Sequence, residues 1–153
     1  VPSCQAPRVP DFQIETDRFG GDCHLESTWI KKCLEQFDLD NLDLVIVENI
    51  GNLVCPAEFQ LGDDERIVVL SVTEGEDKPA KYPQAFLSAD ALVLTKTDLL
   101  PYLPFDPARA AAEALAIKPS LRVFAVSALR GEGLDELAAW LAEALERLRS
   151  GRA

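Results

Sequence analysis

The sequence predicts an α/β domain in which a parallel sheet is covered by helices on both faces, giving three layers. Three observations carry that expectation. Near-solid apolar runs, Leu44-Val45-Ile46-Val47, Arg66-Ile67-Val68-Val69-Leu70-Ser71-Val72, Ala91-Leu92-Val93-Leu94 and Val123-Phe124-Ala125-Val126, read as strands buried on both faces, the pattern of a parallel sheet. Segments of helical period alternate with them, which fits strands joined by helical crossovers. Each run then breaks into a polar loop, and ligands of open α/β sheets sit beyond the carboxyl ends of the strands.

Taken in order, residues 1–12 carry three prolines and little periodicity and read as an irregular lead-in, with Phe12-Gln13-Ile14-Glu15-Thr16 as a short strand. The glycine-containing stretch Asp17 to Leu25 opens a helix in which Leu25, Trp29, Ile30, Cys33, Leu34 and Phe37 recur at three- and four-residue steps. That periodicity predicts a helix to about Phe37, with Cys23 and His24 at its N-terminus. After the run at Leu44 comes Glu48-Asn49-Ile50-Gly51-Asn52-Leu53-Val54-Cys55-Pro56, a polar turn ending on a thiol beside a proline. Ala57 to Asp64 reads as a loop.

The strand at Arg66–Val72 runs into Thr73-Glu74-Gly75-Glu76-Asp77-Lys78-Pro79, and Lys81 to Ser88 reads as a short helix interrupted by Pro83. The strand at Ala91 runs into Thr95-Lys96-Thr97-Asp98. Asp106-Pro107 is a helix start, a capping carboxylate followed by proline at the first helical position, and the alanine-rich helix extends to about Ile117. The fourth strand leads into Ser127-Ala128-Leu129. Leu134, Leu137, Trp140, Leu141, Ala144, Leu145 and Leu148 fall on one face of a last helix. No internal repeat or second domain is evident.

A chain of 153 residues with 48% hydrophobic and 27% charged residues suits one globular domain with a real core. The net charge of −11 argues against nucleic-acid grooves and anionic membrane surfaces, which need clustered Lys and Arg. No apolar run approaches a membrane span and no signal peptide stands at the N-terminus, so a cytoplasmic location is expected. Four cysteines, Cys4, Cys23, Cys33 and Cys55, lack the spacing of a disulfide framework and are expected to be reduced thiols. The chain starts at Val1 and contains no methionine, which suggests a missing leading piece.

Two constellations carry chemistry. In the first, Thr95-Lys96-Thr97-Asp98 and Ser127-Ala128 follow consecutive strands and so reach the same sheet edge. The Asp98 carboxylate can accept from the N1 and N2 donors of guanine, the Lys96 stem can lie along the base, and a backbone N–H near Ala128 can bind O6. Adenine offers an amine there, so such a site selects GTP over ATP. An ordinary strand-end turn with an incidental Lys and Asp fits the same residues. In the second, Cys23, His24 and Cys55 offer thiolate and imidazole ligands suited to Ni²⁺ or Zn²⁺. Three ligands per chain favour an exchangeable site or one completed across a two-fold axis. A buried Cys23, a helix-capping His24 and a core Cys55 remain the plain alternative, and a reactive Cys23 thiol at a helix N-terminus is a third.

These residues give the sequence a resemblance to the HypB family of hydrogenase nickel-incorporation GTPases and, more distantly, to the urease accessory GTPase UreG. The likeness runs from about Phe12 to the final helix. Its most specific blocks are Cys23-His24-Leu25-Glu26, Glu48 to Pro56, Leu70 to Pro79 with Lys81-Tyr82-Pro83, and Thr95-Lys96-Thr97-Asp98-Leu99-Leu100-Pro101. The resemblance implies a P-loop-GTPase-like fold and a nickel metallochaperone domain for [NiFe]-hydrogenase maturation. It implies GTP or GDP with Mg²⁺ as nucleotide ligand, and a nucleotide-dependent homodimer holding Ni²⁺ or Zn²⁺ through Cys23, His24 and Cys55. Thr95, Lys96, Asp98, Ser127 and Ala128 would contact the nucleotide, Glu48 would stand near Mg²⁺ and the γ-phosphate as the catalytic residue, and Gly51 would lie in the following switch. A hydrogenase large-subunit precursor and another nickel-maturation protein are the partners it implies, with no nucleic acid or membrane.

The departures are specific. The phosphate-binding pattern G-x-x-x-x-G-K-[ST] is absent, since none of the eight glycines is followed by lysine. In the family that loop and its strand precede the region matching Phe12. The resemblance therefore implies an N-terminally incomplete domain that binds GTP poorly and hydrolyses little; a degenerate module that has lost nucleotide is the alternative. Thr95 stands where Asn is commoner, Leu129 replaces a common Lys, and the loop from Thr16 to Asp22 is longer and more charged than usual.

Overall fold

A computed structural model describes residues 27–49, 51–54 and 61–151. Within them, helix α1 is Ser27–Leu34, strand β1 is Ile67–Ser71, α2 is Lys78–Lys81 and α3 is Pro83–Ser88. Strand β2 is Ala91–Thr95, α4 is Pro107–Ile117, β3 is Arg122–Ala125 and α5 is Leu134–Gly151. Short 3-10 turns occupy Leu39–Asn41 and Thr97–Tyr102. The three strands form one parallel sheet in the order β1-β2-β3, with Val69 opposite Val93 and Val93 opposite Phe124.

The strand sequences are apolar on successive residues because both faces are covered. On one face Val68, Leu70, Leu92 and Leu94 pack with Phe86 of α3 and with Ala110 and Ala114 of α4. The two alanines let α4 lie close against the sheet, and Asp106 starts that helix by accepting from the N–H groups of Ala108 (2.9 Å) and Arg109 (3.2 Å). On the opposite face Ala91, Val93 and Phe124 pack against Trp140 of α5, whose ring lies 5.7 Å from that of Phe124. At the amino ends of the strands Asp90 accepts from the Arg66 N–H at 2.9 Å, tying β1 to the entry of β2. No described helix is long and apolar enough to cross a membrane.

The predicted three-layer α/β arrangement is therefore present, with differences of local cause. The helix read as Lys81 to Ser88 is two short helices, because Pro83 cannot continue α2 and instead starts α3. Helix α1 ends at Leu34, three residues before Phe37; Phe37 N–H bonds to the Leu34 carbonyl, and Asp38 takes the Asn41 amide at 2.7 Å in a tight turn. Its predicted start at Cys23, and the strand at Phe12–Thr16, lie outside the described residues.

The larger correction concerns Leu44–Val47. This run is not in the sheet, and it leaves Ile46 79% exposed. An apolar run becomes a strand only when a neighbour supplies ladder hydrogen bonds, and among the described residues none lies alongside it.

The chain between β3 and α5 turns through Gly131 and Gly133, at φ of 73° and 72°. A Cβ on Gly133 would stand 2.1 Å from the Ala125 carbonyl oxygen, whereas one on Gly131 would meet nothing within 4 Å. Gly131→Ala is expected to cost about 1 kcal/mol from its left-handed backbone alone. Gly133→Ala must also displace β3 or α5 and is expected to cost at least twice as much, about 2–4 kcal/mol. Urea unfolding of the two variants checks the order; equal losses would mean that the close approach is relieved without cost.

Candidate functional site

Parallel pairing brings the carboxyl ends of β2 and β3 to one edge, and the sharpest local geometry of the chain lies there. Lys96, directly after β2, adopts φ 61° and ψ 36°, the only non-glycine residue at positive φ among the described ones. A side chain in the left-handed region costs about 1–2 kcal/mol, so the surroundings must hold it. They do so from both sides: the Thr97 N–H donates to the Val126 carbonyl at 3.2 Å, and the Leu99 N–H donates back to the Lys96 carbonyl at 2.9 Å. The chain is thereby folded over the end of β3, with Lys96 exposed and Asp98 half-buried.

Asp98 meets Ser127 at that point. The Ser127 hydroxyl donates to Asp98 Oδ1 at 2.6 Å and accepts from the Arg130 N–H at 3.2 Å, while the Ser127 N–H donates to the Glu132 carbonyl at 2.9 Å. Ser127 is fully buried, and its hydroxyl and N–H are both hydrogen-bonded. Its effect is to fix one carboxylate oxygen of Asp98 and leave Oδ2 without a partner among the described residues. Ala128 follows, exposed, and its N–H makes no hydrogen bond within the described chain. The arrangement presents an oriented carboxylate acceptor, a backbone donor and an exposed lysine stem. That set fits a planar base with two adjacent donors and a nearby carbonyl acceptor.

The structure brings Thr95, Lys96, Asp98, Ser127 and Ala128 to this edge, Thr95 by its backbone, whose carbonyl accepts from the Val72 N–H at 3.1 Å. Glu48 is exposed beyond the unpaired run at Leu44, and no hydrogen bond or ion pair ties it or Gly51 to the edge among the described residues. Cys23, His24 and Cys55 lie outside the described residues, and among those described no three His, Cys, Asp or Glu side chains converge as metal ligands.

A second feature was missed by motif reading. An open cleft of about 430 Å³ lies beyond the carboxyl end of β1, lined by Val72, Thr73, Glu76, Leu103, Phe105 and Arg109. It does not include Asp98 or Ser127. Arg109 bridges Glu113 at 3.1 Å and Glu76 at 2.7 Å, and Glu76 also accepts from the Asp106 N–H at 2.7 Å. The bond to Glu113, and the charge of Glu76, hold the Arg109 guanidinium above its usual pKa. Its charge is already matched by two carboxylates, so the cluster reads as a clasp between the loop after β1 and the start of α4. The signal was present as Glu76 and Arg109, but 33 residues separate them and no spacing rule joins them.

The family model described as CobW/HypB/UreG, nucleotide-binding domain, matches residues 13–125. Hydrogenase maturation factor HypB of Azotobacter chroococcum mcd 1 is 47% identical over 150 residues, covering 97% of this chain and 46% of the relative. The protein of the same name from Escherichia coli K12 is 44% identical over 137 residues, covering 90% of this chain and 46% of its own. The chain thus spans about half the length of these curated relatives. Among solved structures, HypB from Helicobacter pylori in complex with nickel superposes with a TM-score of 0.80 at 34% identity, covering 84% of this chain and 61% of that one. HypB from Archaeoglobus fulgidus gives a TM-score of 0.75 at 36% identity, covering 80% and 65%.

The Ser127–Asp98 bond has a stability consequence independent of any ligand. Removing the hydroxyl in Ser127→Ala leaves the half-buried carboxylate short of a charge-assisted bond and is expected to cost about 1–3 kcal/mol. In Asp98→Ala the partner is gone as well, so the double variant is expected to be less destabilised than the sum of the two by about 1 kcal/mol or more. Chemical denaturation of the four proteins measures this, and strict additivity would mean that the bond contributes nothing in solution.

Proposed function

The chain belongs to the CobW/HypB/UreG nucleotide-binding family, and on that premise we propose that it is the base-reading part of a GTP-binding nickel metallochaperone serving hydrogenase maturation. The observation that carries the nucleotide half of this reading is the Asp98 carboxylate held by Ser127 at 2.6 Å beside the strained Lys96. Guanine supplies the two donors that the free side of such a carboxylate accepts, and adenine does not.

Asp98→Asn replaces one acceptor by a donor and turns it against the guanine edge. Competition of GDP and ADP for a fluorescent GDP analogue is the test. The unaltered chain is expected to prefer GDP, and Asp98→Asn to lower GDP affinity at least tenfold, about the worth of one charge-assisted bond. Equal competition by ADP in the unaltered chain would overturn the base-reading role. The absence of G-x-x-x-x-G-K-[ST] from residues 1–153 supports a weak absolute affinity and no appreciable hydrolysis by this chain alone. The second reading, a metal-binding or protein-interaction module without nucleotide, predicts no GDP competition at all.

For the cargo, the proposed ligands are Cys23, His24 and Cys55. One neighbouring structure is a HypB in complex with nickel, which supports Ni²⁺ as the ion carried, and Zn²⁺ suits the same soft donor set. Two such three-ligand sets meeting across a two-fold axis would make loading depend on dimerisation, and nucleotide and metal would then be thermodynamically linked. A hydrogenase large-subunit precursor and a further nickel-maturation protein are the proposed recipient and co-worker. Calorimetric titration of Ni²⁺ into the reduced protein tests the ligand set: Cys55→Ala is expected to weaken binding at least tenfold without changing the melting temperature. Unchanged affinity would remove Cys55 from the site.

A further inference from the structure

The turn that carries Asp98 is an uncommon piece of backbone. Thr97–Tyr102 is a 3-10 helix of six residues, none of them buried, with Pro101 inside it. Runs of that type seldom exceed three or four residues, because their hydrogen bonds are poorly aligned, and a proline removes a further donor. The stretch that follows stands beside open space: Leu103, Pro104 and Phe105 form one wall of the cleft of about 430 Å³ beyond β1. A segment built this way keeps its shape only if both of its ends are fixed.

The near end is fixed at β3, where the Thr97 N–H donates to the Val126 carbonyl and the Ser127 hydroxyl donates to Asp98. The far end is fixed by Glu76. Its two carboxylate oxygens are divided, Oε2 accepting from the Asp106 N–H at 2.7 Å and Oε1 from the Arg109 guanidinium at 2.7 Å. One side chain of the loop after β1 thus holds the backbone at the point where the turn segment passes into α4. Phe105, next to that point, packs against the core, but apolar contact is non-directional, whereas a hydrogen bond to a main-chain N–H fixes direction as well as distance. The pair with Arg109, whose side chain is 57% exposed, contributes little stability by itself, so placement is the larger effect of this arrangement.

We propose that Glu76 is a positioning residue for the base-reading edge: by holding the Asp106 N–H it fixes the far end of the segment from Thr97 to Phe105 and so keeps the Asp98 carboxylate aimed. The path is contiguous, from Glu76 through Asp106 and the 3-10 turn to Asp98 and its Ser127 partner. The loop after β1 thereby acts on base selection without touching the base. Its hold on the turn is independent of any ligand, and its effect on selection rests on the guanine reading proposed above.

Amide exchange on the ligand-free chain tests the hold. The Leu99 and Leu103 N–H groups donate to the Lys96 and Leu100 carbonyls of the turn at 2.9 and 3.3 Å, while the Val126 N–H donates to the Leu94 carbonyl at 2.8 Å beside the sheet. In Glu76→Ala the two turn amides are expected to exchange about tenfold faster with Val126 unchanged. Glu76→Gln keeps an oxygen for the Asp106 N–H and is expected to bring them back to within about threefold of the unaltered chain. Glu76→Asp, one methylene too short to reach both donors, replaces the alanine variant should that one fail to fold. Competition against a fluorescent GDP analogue tests selection: the preference for GDP over ADP is expected to fall about fivefold in Glu76→Ala and to return in Glu76→Gln. Unchanged turn amides, equal acceleration of all three amides, or a GDP preference untouched in Glu76→Ala overturns the proposal. Fast turn amides in Glu76→Ala, with no GDP preference even in the unaltered chain, uphold the hold on the turn and overturn the guanine reading instead.

Discussion

The constraint on which the rest of this structure depends is the burial of β2 between two parallel neighbours. Ala91, Leu92, Val93 and Leu94 are all at or below 4% exposure, and the strand is laddered on both edges. A strand in that position can satisfy its backbone only through β1 and β3, and its side chains only through helices on each face. Parallel register then sends all three chains out of the sheet at the same edge. The Lys96 turn, the buried Ser127 and the Arg109 clasp all sit where β2 and its neighbours deliver them, so the position of the candidate site is a consequence of sheet geometry. What is particular to this chain is the chemistry placed there.

How much of the fold could be read in advance follows from whether local signal and tertiary role agree. For β1, β2, β3, α4 and α5 they do: solid apolar runs and a proline-led cap at Asp106 put the three strands and α4 within a residue of those observed, and a clean helical face at Trp140 marks α5. The two 3-10 turns have no period to detect. Leu44–Val47 is the instructive failure, because its composition is as strand-like as that of β2. Apolar composition reports that a segment gains from burial, about 25 cal/mol for each Å² removed from water, but not what it will be buried against. That second quantity belongs to the neighbour.

The site divides in the same way. Thr95-Lys96-Thr97-Asp98 and Ser127-Ala128 were legible because the spacing after two consecutive strands forces them to one edge. Their mutual arrangement was not. That Ser127 would spend its hydroxyl proton on Asp98, rather than facing a ligand, depends on its complete burial and on the Arg130 and Glu132 contacts that orient it. Gly133, which helps close that loop, is meaningful only once the Ala125 carbonyl is known to approach within 2.1 Å of where a side chain would begin. Glu48 differs in that the run before it has no ladder among the described residues, so sheet geometry does not fix its place.

On the proposed reading, this distribution separates selectivity from affinity. The base-reading groups are complete within the described residues and are held by bonds among themselves, so they are organised before any ligand arrives. One or two charge-assisted hydrogen bonds discriminate guanine from adenine by about 1.5–3 kcal/mol each. Bonds of that size choose between bases but do not by themselves hold a nucleotide tightly, because most of the charge on a nucleoside triphosphate is in its phosphates. Arg109, beside the loop after β1, has its charge already committed to Glu76 and Glu113. On the described residues alone, such a site specifies which base is bound more than how tightly a nucleotide is held.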